Sequence, residues 1–312
     1  MFKRVIIWGH KLHTHTHSYI HCGFYKAFKH LNYDVYWLDN NDINNDINNN
    51  FKNFNFNNCL FITEGQVDDN IPINNSSIYI LHNCNIEKYN NIDKKFNLQV
   101  ITKSDLERYH FDSIDIATYH HSDLLMMCWA TDLLPEEIDK NILKVKTNNI
   151  KSKDVLNFVG MPLYPWDEVV KWCNNNNIIY NSFGGFNRTN VSSEKNMELI
   201  QESVLAPAIQ EHWQVEHGYI PCRVFKNLSY GKMGLTNNSF VNNFIFEGKL
   251  LYNEDIHKLM DMGIEFNNSY DDNNLHQQQL LIELMENVRD NHTYINRIQS
   301  IIKFLEIKFL EI

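Results

Sequence analysis

Three features are absent from this sequence, and each absence excludes a class of protein. The six cysteines form no Cys-x-x-Cys pair, which argues against a zinc ribbon and against a thioredoxin-like redox motif. No apolar run approaches the roughly 20 residues that span a bilayer, and the N-terminus has too few apolar residues for a signal-peptide core. We therefore expect a cytoplasmic protein with no transmembrane segment and with free thiols in a reducing compartment.

Positive charge is also scarce. The chain has 28 lysines and arginines against 38 aspartates and glutamates, a formal net charge of -10. No basic stripe is left to neutralise a phosphate backbone, so nucleic acid is not an expected partner. The 43% hydrophobic and 13% aromatic residues are enough to form packed cores. The 312 residues exceed the roughly 250 to 300 at which one core stops growing, so two domains are expected.

Short apolar runs alternate with amphipathic stretches along the first half, which is typical of a parallel α/β sheet. A first βαβ unit is predicted from a strand at 5–8, a helix at 19–31 and a strand at 34–38. Further strands are predicted at 59–63, 78–81, 98–102 and 124–129. The Asn-rich residues 40–58 are interpreted as a surface loop.

The α/β pattern restarts in the second half. Residues 134–154 are polar and Lys-rich and are predicted to connect two lobes. Strands are predicted at 155–160, 178–183, 233–236 and 249–252, and helices at 166–173, 194–209, 239–246, 255–262 and from about 275 to the end. Ser192 or Ser193 is expected to cap the second of these helices. The predicted domains are therefore 1–150 and 151–312, each Rossmann-like, with a long closing helix.

Three histidines occupy alternate positions after the first predicted strand, namely His13, His15 and His17. In an extended loop they would project to one side, as metal ligands do, which favours a metal-dependent hydrolase as one alternative. No orderly ligand set follows at later strand ends, and the chain does not close one barrel, so no metal is predicted. The loop can instead meet a phosphate or a hydroxyl, with His15 as a candidate general base. Solvated loop histidines are the remaining alternative.

Polar residues follow several predicted strands. Glu64 and His82 come directly after the strands at 59–63 and 78–81. The carboxyl ends of parallel strands line the ligand crevice of open α/β sheets, so both side chains are candidate general bases. Helix caps and surface contacts use the same residue types. Asp132 is expected either to cap a helix that begins at Pro135 or to lie at a hinge between the lobes, and the cap is the favoured alternative.

The most informative stretch is 221–238. Arg223 begins a predicted short helix, where its rigid fork of donors and the helix dipole both suit a phosphate. Gly231 allows the chain to reverse before a buried strand. Asn237 and Asn238, at the carboxyl end of that strand, either cap the next helix or touch a ligand. An ordinary helix, turn and strand without a ligand is the alternative.

Residues 223–231, Arg-Val-Phe-Lys-Asn-Leu-Ser-Tyr-Gly, resemble the donor-site signature Arg-x-Phe-Glu-x-x-Ala-x-Gly of a bacterial branch of GT-B glycosyltransferases. Residues 157–160, Asn-Phe-Val-Gly, are similar to the strand that opens the second lobe of that family. Residues 292–297, His-Thr-Tyr-x-x-Arg, are similar to a stretch of its closing helix. The resemblance covers most of the second half, and the first half agrees in architecture only.

The resemblance implies two Rossmann-like lobes that face a cleft, with the acceptor bound by 1–150 and a nucleoside diphosphate sugar by 151–312. It implies metal-independent sugar transfer to a glycan or a small acceptor, with no cofactor beside the donor, because positive charges and helix N-termini neutralise the leaving diphosphate. The implied donor-site residues are Arg223, Phe225, Lys226, Tyr230, Gly231, Asn237, Asn238, Gly184 and Gly185. If the reaction inverts, His82, Glu64 or a loop histidine would act as the base.

Two positions depart from the family pattern. Lys226 stands where the family has a glutamate that holds the donor ribose, and Gly218 stands where many retaining members have a second glutamate. Lys226 is expected either to reach a donor phosphate or to point to solvent. A non-catalytic protein that binds nucleotide sugars is therefore a further alternative.

Overall fold

The computed structural model describes residues 1–9, 11, 16–44, 54–64, 70–84, 86–109, 112–115, 118–150, 152–162, 164–184, 191–271 and 275–310. The strands are β1 (Arg4–Trp8), β2 (Val35–Leu38), β3 (Cys59–Glu64), β4 (Ile78–His82), β5 (Lys95–Val100), β6 (Asp112–Asp115), β7 (Thr118–His121), β8 (Leu124–Met127), β9 (Val155–Val159), β10 (Ile179–Phe183), β11 (Pro207–Ala208), β12 (Leu235–Thr236) and β13 (Leu251–Tyr252). The α-helices are α1 (Thr16–His30), α2 (Asn40–Asn44), α3 (Lys103–Arg108), α4 (Pro135–Lys146), α5 (Trp166–Asn175), α6 (Ser193–Glu202), α7 (His212–Glu216), α8 (Cys222–Ser229), α9 (Ile256–Asp271), α10 (Leu275–Asn291) and α11 (Tyr294–Leu310). A 3₁₀ turn at Ile86–Tyr89 and a π-helix at Val241–Ile245 complete the elements.

The first of two compact units comprises Met1–Val100, His110–Met127 and Tyr294–Ile312. Its strands form one eight-stranded sheet in the order β2-β1-β3-β4-β5-β8-β7-β6. All neighbours up to β8 pair in parallel, and β7 runs antiparallel to both of its neighbours. Strand β4 is buried at every position, as expected of a parallel strand covered on both faces.

The last helix, α11, contributes to the core of this first unit. The Phe304 ring is fully buried, with its centroid 4.9 Å from that of Phe96 and 5.3 Å from that of His120. Tyr294 packs 4.6 Å from Phe24 of α1. The Lys-Phe-Leu-Glu-Ile duplication at 303–312 is therefore partly structural, because its first copy supplies the buried Phe304 and Leu305.

The second compact unit comprises Ile101–Tyr109 and Cys128–Thr293. It contains a two-stranded sheet, β10-β9, and a three-stranded sheet, β11-β12-β13, and every pair is parallel. The backbone N of Val204, just before β11, donates to the carbonyl of Val155 on β9 at 2.8 Å. Helix α5 packs on β10, α6 on β9, α8 on β11, and α9 on β12 and β13.

The chain is thus an α/β protein with a large, mostly parallel sheet and a C-terminal helix, compatible with Rossmann-like folds, which confirms the predicted fold class at this level. Each predicted strand of the first half overlaps an observed one. Within the described part of the chain, no helix is long and apolar enough to cross a bilayer.

Several predicted elements need correction. The hairpin β6-β7 was missed because its residues, Asp-Ser-Ile-Asp and Thr-Tyr-His-His, contain no apolar run. Residues 134–154 are not a simple connection, because α4 buries Ile138, Ile142 and Val145 at helical spacing and packs on α10. The predicted helix at 194–209 ends at Glu202, although Ser192 does cap it.

The predicted closing helix is two helices that belong to different units. The break falls at His292 and Thr293, where the backbone N of Thr131 donates to the carbonyl of His292 at 3.0 Å. Helix α10 belongs to the second unit and α11 to the first. The compact units divide the chain differently from the predicted domains 1–150 and 151–312. Ile101–Tyr109 and residues 128–150 belong to the second unit, and Tyr294–Ile312 belongs to the first.

Candidate functional site

Arg223 lies in the first turn of α8, and its guanidinium is held at the carboxyl end of β9. The guanidinium lies over the Phe158 ring, 4.2 Å from its centroid, and 5.6 Å from the Trp166 ring. Its Nη2 donates to the carbonyl of Val159 at 3.2 Å. Both aromatic distances are within the range of cation-π attraction. The two rings themselves pack at 3.9 Å, so they form a fixed surface under the cation.

No carboxylate in the described part of the chain forms an ion pair with Arg223. Burial of the half-buried side chain lowers the pKa of its guanidinium, although arginine stays charged at neutral pH. Buried charges in proteins are usually paired, so a partly buried cation beside rings and one carbonyl favours an anionic ligand.

Two glycines follow the paired strands β9 and β10 at this same edge. The N of Gly160 donates to the carbonyl of Phe183 at 2.8 Å, and a Cβ on Gly184 would lie 3.5 Å from the N of Gly160. A Cβ on Gly160 would lie 2.8 Å from Nη2 of Arg223, and the residue has a φ of +143°. A side chain at position 160 would therefore strain the backbone and displace the guanidinium from this position. We call Phe158, Gly160, Trp166, Gly184 and Arg223 the Arg223 site.

Gly231 and Tyr230 lie at the other end of α8. A helix of eight residues is roughly 12 Å long, so the structure does not bring Gly231 together with Arg223. A Cβ on Gly231 would meet Ile150 at 2.4 Å. The buried Tyr230 hydroxyl donates to Asp132 at 2.7 Å. Gly231 and Tyr230 thus serve packing and helix termination in this structure.

This contact also corrects the expected role of Asp132. The N-cap of α4 is Leu134, whose backbone N donates to Glu137 at 2.7 Å. Asp132 is buried and accepts the Tyr230 hydroxyl instead of capping the helix. The sequence suggested a cap because aspartate is a preferred N-cap residue and stands shortly before a predicted helix start. With Pro135 as the first helical residue, however, the N-cap position is 134.

The next two signature residues are buried. Phe225 is fully buried, with its ring stacked 4.5 Å from that of His292, so it is part of the packing that supports α8. Lys226 is only 8% exposed, which makes the alternative that it points to solvent wrong. Its Nζ lies 6.0 Å from the Tyr230 ring centroid.

The amides of Asn237 and Asn238 are engaged within the protein. Asn237 pairs with the backbone of Gln210 through both its amide N and its amide O, at 2.9 Å each. Asn238 accepts from the backbone N of Phe240 at 3.0 Å and donates to Gln210 Oε1 at 3.0 Å. Of the two roles expected for Asn238, the geometry supports the cap of the following helix.

The first unit gathers three histidines near the carboxyl ends of its central strands. The His17 ring centroid lies 5.3 Å from that of His82 and 6.4 Å from that of His21. His82 Nδ1 contacts the carbonyl of Leu98 at 2.8 Å. A carbonyl can only accept, so Nδ1 carries the proton and Nε2 accepts from the Asn83 amide at 3.1 Å. The Nε2 lone pair is the one a general base would use.

The other expected bases are only partly described. The backbone of Glu64 pairs in register with His82 on neighbouring strands, but its side chain lies outside the described residues. His13, His15 and Gly185 also lie outside them. Within the described ranges, no group of three or more His, Cys, Asp or Glu is arranged to hold a metal ion.

Sequence reasoning missed the residues that position Arg223. Phe158 and Trp166 read as ordinary core positions of a strand and a helix, and Gly160 as a strand end. The one local signal in the sequence was Phe158, an aromatic residue two positions before Gly160 at the end of a predicted strand. His21 was missed because it lies within an amphipathic helix pattern.

The chain was compared with known protein families and with curated proteins. No family model matches it, and no curated protein is significantly similar to it in sequence. The resemblance to GT-B glycosyltransferases therefore stays a prediction from residues 223–231 and the two stretches that accompany them.

Proposed function

We propose that this chain is a GT-B glycosyltransferase that moves a sugar from a nucleoside diphosphate sugar to a glycan or a small acceptor. The observation that supports this proposal best is Arg223, a half-buried cation at the carboxyl end of a parallel strand, without a carboxylate partner in the described part of the chain. Ligands of open α/β sheets bind at such strand ends.

In this proposal the donor diphosphate binds Arg223 beside Gly160 and Gly184. The guanidinium supplies charge-assisted hydrogen bonds to the diphosphate and stabilises its negative charge as the sugar leaves. The preformed position over Phe158 and Trp166 means that little side-chain ordering is needed on binding.

If the reaction inverts, the GT-B resemblance implies that a base among residues 1–150 takes the proton of the acceptor hydroxyl. His82 is the best-described candidate, because Nδ1 is fixed as the protonated nitrogen and Nε2 carries the lone pair. The acceptor hydroxyl would replace the Asn83 amide at Nε2. Glu64 and His15 stay alternatives from the sequence.

The first test is calorimetry with UDP, GDP and ADP as probes. Wild type is expected to bind at least one of them, and Arg223→Ala to weaken that binding at least tenfold, because charge-assisted contacts to a phosphate are lost. Arg289→Ala is the matched control, since Arg289 is satisfied by Asp139 at 2.8 Å and by Asp290 at 2.8 Å. Equal affinity in wild type and Arg223→Ala would contradict the proposed donor site.

The second test is turnover. Release of the nucleoside diphosphate from its sugar is expected to persist in a chelator, to be lost in Arg223→Ala, and to fall in His82→Ala with donor binding intact. Activity that disappears in the chelator and returns with added metal would favour the metal-dependent hydrolase. Donor binding without turnover across a broad acceptor panel would favour a non-catalytic protein.

A further inference from the structure

A cavity of about 330 Å³ lies between the beginning of α5 and strand β10 in the second unit. Its lining is mostly apolar and aromatic and comprises Pro162, Tyr164, Trp166, Val170, Tyr180 and Ser182, together with one carboxylate, Asp167. Asp167 pairs with Lys171 at 3.6 Å. Tyr180 and Ser182 are two apart on β10 and therefore share one face of the strand. The volume is near the lower end of the range for small-molecule sites, roughly 300 to 1,000 Å³.

This cavity lies directly beside Arg223. Trp166 is both a wall of the cavity and part of the surface under the guanidinium, 5.6 Å from it. Tyr180 also lines the cavity, on the strand that pairs with β9. An occupant of the cavity would therefore have a cation at one end and aromatic rings along its sides.

Exposed apolar side chains lie in the cavity lining and next to it in sequence. Tyr164, in the lining, is 71% exposed, and Met161, which precedes the lining residue Pro162, is 52% exposed. Clustered exposed apolar side chains on a protein surface mark interaction sites more often than isolated ones do. An exposed tyrosine beside a cavity can stack on the face of a planar ring.

The aromatic lining and the adjacent guanidinium favour a ligand with a planar, largely apolar ring attached to an anionic group. We propose that the cavity holds the base of the nucleoside diphosphate whose phosphates bind Arg223. This inference rests on the proposed function and adds the position of the base. Base-aromatic stacking tolerates any base, because every base has a π-face, so the cavity alone does not select one.

The test compares a probe that has a base with one that does not. Calorimetry measures the affinity of the tightest of UDP, GDP and ADP, and that of inorganic pyrophosphate. Tyr164→Ala is expected to weaken nucleotide binding about tenfold and to leave pyrophosphate binding unchanged, since one stacking contact is lost. Ser182→Phe fills the cavity from β10 and is expected to have the same selective effect.

Two control variants remove exposed side chains that do not line the cavity. Leu143→Ala removes an apolar side chain of similar exposure from α4, and Trp213→Ala removes an exposed aromatic ring that does not line the cavity. Neither is expected to change nucleotide affinity. Loss of nucleotide binding in Trp213→Ala with none in Tyr164→Ala would place the base elsewhere and overturn the inference.

Failure of this inference and failure of the proposed function give different results. Nucleotide binding that depends on Arg223 but not on Tyr164 or Ser182 overturns only the position of the base. An effect of Tyr164→Ala on the nucleotide sugar but not on the free nucleotide also overturns it, because the cavity would then hold the sugar. No binding of nucleotide by wild type, or binding that is independent of Arg223, overturns both.

Discussion

Arg223 and Arg289 are used differently in the same unit. The guanidinium of Arg289 is bonded to two carboxylates, which raise its pKa. The guanidinium of Arg223 lies over two aromatic rings and donates to one carbonyl. Within the described part of the chain, the first arrangement satisfies the guanidinium without a ligand. The second leaves most of the guanidinium N–H donors available to an anion.

At the same scale, Tyr230→Phe tests whether Tyr230 serves the fold or the donor. The change removes the buried hydroxyl that donates to Asp132 at 2.7 Å. We expect the free energy of unfolding to fall by about 1–3 kcal/mol, because a buried carboxylate oxygen loses its partner. Urea denaturation measures the loss.

Tyr252→Phe is the matched control for this change, because its hydroxyl bonds to Glu254 at an exposed position. Its cost should be below about 1 kcal/mol. A Tyr230→Phe variant of wild-type stability but reduced nucleotide affinity would instead assign Tyr230 to the ligand.

The buried thiol of Cys173 predicts a loss of stability in alkali. Burial raises the pKa of this thiol from 9.0 to about 11. The folded state therefore holds the proton more tightly than the unfolded state does. The contribution of the protonated thiol to the free energy of unfolding is fully present below pH 9 and is lost as the pH rises towards 11.

This pH dependence can be measured by urea denaturation at about pH 8 and about pH 10.5, in wild type and in Cys173→Ala. The variant is expected to be less stable at the lower pH, because it leaves a small cavity. It should lose less additional stability on going to the higher pH. Identical losses in both proteins would show that Cys173 does not carry the effect.

At the scale of elements, the two ends of helix α8 have different roles. Its first turn carries Arg223 at the strand ends, and its last turn and Gly231 pack against the residues around α4. The signature at 223–231 is thus one continuous motif in sequence, but only its first residue lies at the Arg223 site. The buried middle of the helix fixes the distance between the two ends.

Gly231→Ala is expected to destabilise the protein more than Gly248→Ala. Both glycines have positive φ, +86° and +78°, so both substitutions carry about 1–2 kcal/mol of backbone cost. A Cβ on Gly231 would also lie 2.4 Å from Ile150 and 3.0 Å from Val145, whereas one on Gly248 has its nearest neighbour at 3.9 Å. Crowding should add about 1–3 kcal/mol at Gly231.

Thermal and urea denaturation of the two variants measure this difference. Nucleotide affinity should be unchanged in Gly231→Ala under conditions where it is folded, because Gly231 lies at the far end of α8 from Arg223. Equal destabilisation by the two changes would show that the packing around Gly231 relaxes freely.

At the scale of the whole molecule, the chain builds two compact units and returns to the first with α11. Phe304→Ala is expected to destabilise the first unit by about 3–5 kcal/mol, because the ring is fully buried. Hydrogen exchange measured by mass spectrometry should become faster in β1, β3 and β4. The strands β9 to β13 of the second unit should keep most of their protection.

Ile307→Ala, on the same helix but 41% exposed, is the control and should change exchange little. Faster exchange across both units in Phe304→Ala would show that the two units unfold as one cooperative body. Unchanged exchange everywhere would mean that α11 does not support the first unit.

The sequence by itself determined the α/β class, because periodicity depends on which face of a strand or helix is buried. The strands from β1 to β4 could be placed for that reason, since their apolar runs are continuous. Polar elements such as β6 and β7 could not be placed, because their stability comes from pairing with β8. Helix α4 was read as a connection, because its apolar stripe is diluted by lysines.

For the site, the sequence singled out Arg223 by residue type and by its place at a helix start. Only the tertiary structure showed that the guanidinium of Arg223 lies over Phe158 and Trp166, next to Gly160. It also showed that Tyr230 and Phe225 are buried in the core. The physical reason is that residues far apart in sequence meet through packing, and local pattern carries no information on which side chains face each other. The break at His292 and the return of α11 to the first unit follow from the same kind of contact.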